Sequence, residues 1–149
     1  MTSTGARLLR TRWFVRAPIG VFRARLGFLF GGRILLLEHR GRKSGKARYV
    51  VLETVARPAS DTVVVASGFG RSAQWFQNLT ADPHCRVSIG ARHRAPATAR
   101  ELTADEAARV LSDYRRRHPR AYRELSGVIE AATGASIDAV PLLELTLSA

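Results

Sequence analysis

The sequence predicts an α+β fold built on an antiparallel sheet or small barrel, and three observations carry that reading. Short extended segments follow one another instead of alternating one by one with helices. Two of them, residues 84 to 90 and 92 to 102, alternate apolar and polar side chains around Gly90-Ala91 in the manner of a half-buried hairpin. The two longest helical patterns come together late in the chain and precede one last extended run. A doubly wound parallel sheet would require strand and helix to alternate throughout. At 149 residues and 46% hydrophobic content, the chain can bury a core without metal or disulfide staples.

The elements are justified in chain order. Residues 1–32 form a basic amphipathic segment, set apart from a domain spanning 33–149. Within residues 6–30, arginines (Arg7, Arg10, Arg12, Arg16) are interleaved with large apolar residues (Leu8, Leu9, Trp13, Phe14). Such a stretch either packs its apolar stripe on the protein's own core or lies on a membrane interface, and packing is the favoured reading. Pro18 and Gly20 break it into short helical pieces, and Gly31-Gly32 ends it. No apolar run approaches the roughly 20 residues of a transmembrane helix, and no signal-peptide pattern is present.

Residues 33 to 40 and 48 to 56 read as a strand pair, 58 to 61 as a turn, and 62 to 67 as a third strand. A flexible loop, Gly68-Phe69-Gly70-Arg71-Ser72, leads into a short helix over 73–81 capped by Ser72, which Asp82-Pro83 stops. After the hairpin, the capping box of Thr103 and Glu106 opens a helix that runs to about Arg117. A second helix starts near Pro119 and ends before Gly134, and Pro141 to Leu147 is the final strand.

Charge is distributed unevenly. The net charge is +12, and residues 1–50 hold 12 Lys or Arg against a single acid, Glu38, while the remainder holds 12 against 11. A polyanion is the expected neighbour of the first third, whether a charged cofactor tail, an anionic membrane or nucleic acid. The focus of this charge is the segment Gly41-Arg42-Lys43-Ser44-Gly45-Lys46-Ala47-Arg48, with four cations and two glycines between two strands. Glycines permit close backbone approach and unusual φ values, and the cations can make charge-assisted bonds to phosphate or carboxylate oxygens. A basic turn is also often simple solvated surface.

Other chemistry is thinly represented. The lone cysteine, Cys85, excludes an internal disulfide, fits a reducing cytoplasmic setting and reads as a buried thiol. His39, His84, His93 and His118 form no metal-spaced pair, and there is no nucleophile elbow, Walker loop or dinucleotide fingerprint. What remains is the basic loop, the Ser/Gly loop and a helix on which Trp75 and Asn78, three residues apart, share a face. An aromatic plane beside an amide suits a flat heterocycle with polar edges, although a Trp on a short helix is more often core.

These residues resemble the deazaflavin-dependent nitroreductase family, oxidoreductases of mainly actinobacterial origin that use coenzyme F420 on a split β-barrel. The resemblance covers about Leu35 to Tyr122. It rests on Gly41-Arg42-Lys43-Ser44-Gly45 with Arg48, on Val64-Val65-Ala66-Ser67-Gly68-Phe69-Gly70, and on Trp75-Phe76-Gln77-Asn78-Leu79-Thr80-Ala81-Asp82-Pro83. It implies a split-barrel fold and a phosphate and acidic tail bound by Arg42, Lys43, Ser44 and Arg48. It also implies a deazaflavin ring lined by Val51, Ala66, Ser67, Gly68, Trp75 and Asn78. Where the family carries a lysine after the serine of the second block, this chain has Gly68, so one tail contact is lost or is replaced by Arg71.

The activity implied is hydride transfer to an electron-poor acceptor such as a quinone, nitro compound or enone, with the protein positioning the two partners. Ser67 and the helical tyrosines, Tyr122 or Tyr114, are candidate proton donors beside solvent. Two other classes stay open: an FMN- or heme-binding split barrel, and a non-catalytic basic module on membrane or nucleic acid. With F420 as cofactor no nucleic-acid partner is expected. Peripheral membrane contact through residues 6–30 would suit a membrane-dwelling quinone, and a homodimer through barrel strands follows by analogy.

Overall fold

The computed structural model describes residues 33–148, so the expected basic segment over 1–32 lies outside the described residues. The described chain forms six strands: β1 (Ile34–Arg40), β2 (Ala47–Ala59), β3 (Thr62–Ala66), β4 (His84–Ile89), β5 (Arg92–Glu101) and β6 (Leu142–Leu147). Three α-helices interrupt them: α1 (Gln74–Ala81), α2 (Ala104–Arg117) and α3 (Pro119–Thr133). The strands close an antiparallel barrel in the order β1-β2-β3-β6-β5-β4, which realises the α+β split-barrel expectation. Among the described residues, closure leaves no strand of the sheet unpaired on one side.

Alternation decides what each strand buries. Leu35 and Leu37 of β1, Val63 and Val65 of β3, Val87 and Ile89 of β4, and Leu143, Leu145 and Leu147 of β6 join one interior cluster. Helix α1 adds Trp75, Phe76 and Leu79 to it. Each such apolar side chain contributes about 1.5–3 kcal/mol relative to exposure. Residues of opposite parity build a second core on the outer wall. There Val55, Val64 and Leu142 meet Leu111 and Tyr114 of α2 and Ile129 of α3. The third strand is therefore buried on both faces and reads as a continuous apolar run.

Four departures from the sequence reading have local causes. The strand β2 runs through Pro58 to Ala59, where a turn was expected; register shifts flank Ala56, and such irregular pairing tolerates a residue without an N–H. Ser72 does not cap α1: the cap position is Ala73 with no side-chain bond, and the Ser72 hydroxyl donates to the Phe69 carbonyl at 3.1 Å. The Ser/Gly loop is partly ordered as a 3₁₀ turn over Gly70–Ser72. A second 3₁₀ turn, Ile137–Ala139, precedes β6 and places Ile137 in the helix-facing core. The capping box forms as expected, with Glu106 N–H donating to Thr103 Oγ1 at 3.2 Å and Thr103 N–H to Glu106 Oε1 at 2.9 Å.

Candidate functional site

The basic loop is a tight reversal between β1 and β2. Gly41 N–H donates to the Lys46 carbonyl at 2.9 Å, Gly45 N–H donates to the Gly41 carbonyl at 2.8 Å, and Lys46 N–H donates to Ser44 Oγ at 3.2 Å. The two glycines serve the turn differently. Gly45 adopts φ +70°, in the left-handed region, and a Cβ at Gly41 would come within 2.6 Å of Ser44 Oγ. The loop therefore holds Arg42, Lys43, Ser44, Lys46 and Arg48 exposed in a short arc. None of these four cations joins an ion pair with a carboxylate among the described residues. Some arginines elsewhere are paired, among them Arg94 with Glu38, Arg100 with Glu106 and Glu144, and Arg71 with Glu101.

Helix α1 fixes the loop from beneath. Asn78 Oδ1 accepts from both the Arg42 backbone N–H at 3.1 Å and Arg42 Nη1 at 2.8 Å, and Gln74 Oε1 accepts from the same Nη1 at 3.0 Å. The other end of the amide, Nδ2, lies 3.0 Å from Nδ1 of His39. Two donors from Arg42 require the amide oxygen on their side, so Nδ2 donates to His39 and the ring proton sits on Nε2. Asn78 and His39 are each 4% exposed. Burial, with the Arg48 guanidinium as a lesser cause, lowers the His39 pKa to about 4, so the ring is neutral near pH 7.

The sequence-predicted residues are thus brought together unequally. Arg42, Lys43, Ser44, Arg48 and Asn78 converge on one loop and its support. Trp75 is 7% exposed, packs edge-on against Phe76 and belongs to the barrel interior. Val51 sits with Ile34, Leu36 and Tyr49 in a small separate cluster, and Ala66 packs on the helix-facing core. A groove of about 320 Å³ adjoins the Val51 cluster, lined by Leu36, Glu38, Tyr49, Arg86, Ser88 and Arg94 among others.

Ser67 is fully buried, and its hydroxyl donates to the Gly70 carbonyl at 2.6 Å. Gly68 faces Ile129 of α3, so the end of β3 meets the helix that also carries Tyr122 seven residues earlier on the same face. Tyr122 is half-buried, with the Arg115 guanidinium 5.5 Å from its ring. The hydroxyl of Tyr114 is buried without a hydrogen-bond partner among the described residues, and burial beside Glu53 and Glu124 pushes its pKa up to about 12. Arg71, the replacement expected for the contact missing at Gly68, is exposed and donates to Glu101 in two bonds of 3.0 and 2.6 Å. Cys85 is a core thiol raised to about 12 by burial, and no His, Cys, Asp or Glu cluster able to hold a metal exists among the described residues.

Sequence reasoning missed His39 and Gln74. The signal for His39 was its parity: it follows Leu35 and Leu37 at spacing two and therefore points inward. Gln74 lies four residues before Asn78, one turn along the same helix face.

The donor set suits an elongated polyanion. Four cations without carboxylate partners among the described residues, one of them oriented by a buried amide, suit phosphate or carboxylate oxygens. Against known proteins, the family model for F420H(2)-dependent quinone reductase matches residues 12–137. A Mycobacterium tuberculosis protein named as a candidate F420H(2)-dependent quinone reductase is 40% identical over 62 residues, covering 40% of this chain and 51% of that protein. The chain therefore spans about half the length of that curated relative. A solved structure described as an F420-H2 dependent reductase superposes with TM-score 0.54 at 25% identity, covering 76% of this chain and 93% of that one. Another, described as a domain-swapped dimer, gives TM-score 0.56 at 25% identity over 77% of this chain and 81% of that one.

Proposed function

Because the chain belongs to the F420H(2)-dependent quinone reductase family, we propose that it is an oxidoreductase that uses reduced coenzyme F420 to reduce a quinone, with nitro compounds and enones as further electron-poor acceptors. The observation that carries this reading is the basic loop, whose four cations lack carboxylate partners among the described residues and whose first arginine is oriented by Asn78. The chemistry supplied by the bound coenzyme is transfer of a hydride, which with one proton converts a quinone to a quinol.

The chain's own residues bind and orient. Arg42, Lys43 and Arg48 hold the phosphate and acidic tail, and Ser44 adds a hydroxyl at the loop's tip. The backbone after β3, at Ala66, Ser67 and Gly68, and the side chain of Val51 would line the ring, with Trp75 supporting α1 from the barrel interior. Charge-assisted bonds at the tail fix the coenzyme far from the reacting carbon, which lets binding energy there act as orientation at the ring. The proton comes from solvent or from Tyr122, since the Ser67 hydroxyl is engaged with the Gly70 carbonyl and the Tyr114 hydroxyl is buried.

The direct test is anaerobic oxidation of reduced F420 by purified protein with a soluble naphthoquinone. Quinone-dependent loss of reduced coenzyme supports the proposal; no turnover with any quinone, nitro compound or enone, despite coenzyme binding, contradicts it.

Two finer parts of the reading concern assembly and place. A homodimer is supported by the similarity to a fold described as a domain-swapped dimer, and light scattering reading a monomer at micromolar concentration would reject it. Peripheral membrane contact through residues 6–30 is supported by their mix of arginine and apolar residues. No helix among the described residues is long and apolar enough to cross a membrane. Failure of the full chain to sediment with anionic liposomes would remove the membrane contact.

A further inference from the structure

The hydrogen-bond network under the basic loop ends on a group that hydride transfer does not use. His39 closes β1 on the inward parity, buried, with Nδ1 3.0 Å from Asn78 Nδ2. An amide has two ends of similar shape, and flipping Asn78 would aim its NH₂ at the two donors of Arg42. We propose that His39 is a positioning residue of the anion site: by accepting from Asn78 Nδ2 it fixes the amide so that Oδ1 holds both the backbone N–H and the guanidinium of Arg42 in the pose that receives a phosphate or carboxylate. This inference rests on reading the basic loop as the site of the coenzyme tail.

The geometry supports each link. A single buried oxygen takes two donors from Arg42, at 3.1 and 2.8 Å, so loop backbone and side chain are set together. Gln74 holds the same guanidinium nitrogen at 3.0 Å but leaves the backbone N–H untouched, so it cannot substitute for Asn78. His39 accepts only while neutral at Nδ1. Burial keeps it so, with Arg48, its register partner on β2, as a lesser cause, and the other cation near it, Arg42, lies behind Asn78. Protonation would set an N–H against the amide NH₂ and remove the constraint. A histidine that merely satisfied a core polar group would influence stability without regard to Arg42.

The test separates these roles by a double-mutant cycle read as F420 affinity, from tryptophan fluorescence titration of the full chain. His39→Leu is expected to weaken F420 binding about threefold to tenfold, the effect of one net hydrogen bond. His39→Asn, whose side-chain oxygen falls where Nδ1 lies, is expected to restore most of it. In an Arg42→Ala background His39→Leu is expected to produce no further loss. In ¹⁵N NMR of the unaltered protein at pH 7, His39 is expected as the Nε2–H tautomer. Unchanged affinity in His39→Leu, an equal loss with and without Arg42, or an Nδ1–H tautomer overturns the proposal. Should the unaltered protein fail to bind F420, the reading of the loop falls and takes this inference with it. Binding without any effect of His39 removes the inference alone.

Discussion

Two buried polar side chains, His39 and Asn78, supply the geometry that the exposed cations above them need. An arginine on a free loop samples many rotamers and loses that freedom on binding an anion. At Arg42 part of that cost is met in advance by the bonds to Asn78 and Gln74. The same burial has a consequence for stability. The His39 pKa is lowered from an ordinary 6.5 to about 4 on folding, so between those values the unfolded chain binds more protons than the folded one. Its contribution to stability is present in full above about pH 6.5 and is lost progressively as pH falls toward 4. Urea unfolding from pH 7 to pH 4.5 is expected to lose stability more steeply in the unaltered protein than in His39→Asn. Parallel pH profiles would show that His39 is not held neutral.

Among the elements, the capped α2 and the uncapped α1 contrast. Thr103 and Glu106 satisfy two N-terminal donors of α2 reciprocally, and the Arg100 guanidinium, with the Thr103 N–H, lowers the Glu106 pKa to about 2. Thr103→Ala is expected to destabilise the fold by about 1 kcal/mol without altering F420 affinity, measured by urea unfolding and fluorescence titration. Helix α1 has no side-chain cap and is held by what it buries: Trp75, Phe76 and Leu79 in the barrel and Asn78 beneath the loop.

That division explains what the sequence made legible. Strand parity, the capping box and the stops at Gly134 and Asp82-Pro83 are local signals, and apart from the end of β2 those elements lie within a residue or two of where the pattern put them. Helical spacing puts Trp75 and Asn78 on one face, but cannot say that the indole enters the barrel while the amide turns to Arg42. Those destinations depend on barrel closure, which brings residues 39, 42 and 78 together from separate segments. Pro58 misled for a related reason: a proline marks a turn locally, and only the irregular pairing of β2 with β3 lets a strand continue through it.

Over the whole molecule, a closed barrel with helices on part of its outer wall leaves its function at loops and strand ends, and the charge distribution selects among them. Acids pair with some arginines elsewhere, such as Glu38 with Arg94 and Glu101 with Arg71, while the loop between β1 and β2 concentrates four cations without a carboxylate partner among the described residues. An anion held by exposed cations is held less tightly as salt rises, since screening acts within about 10 Å at 0.1 M ionic strength. Coenzyme affinity is therefore expected to fall between 50 and 500 mM salt, chosen as about tenfold apart to span that screening range, and to fall less in Lys43→Ala.

The measurement that bears most directly on the central claim is a tryptophan fluorescence titration of the full chain with F420 beside FMN, repeated with Lys43→Ala. Saturable F420 binding, weakened severalfold by Lys43→Ala and without comparable affinity for FMN, is the predicted result. Failure to bind F420, or tighter binding of FMN, would contradict the assignment of the basic loop to the deazaflavin coenzyme.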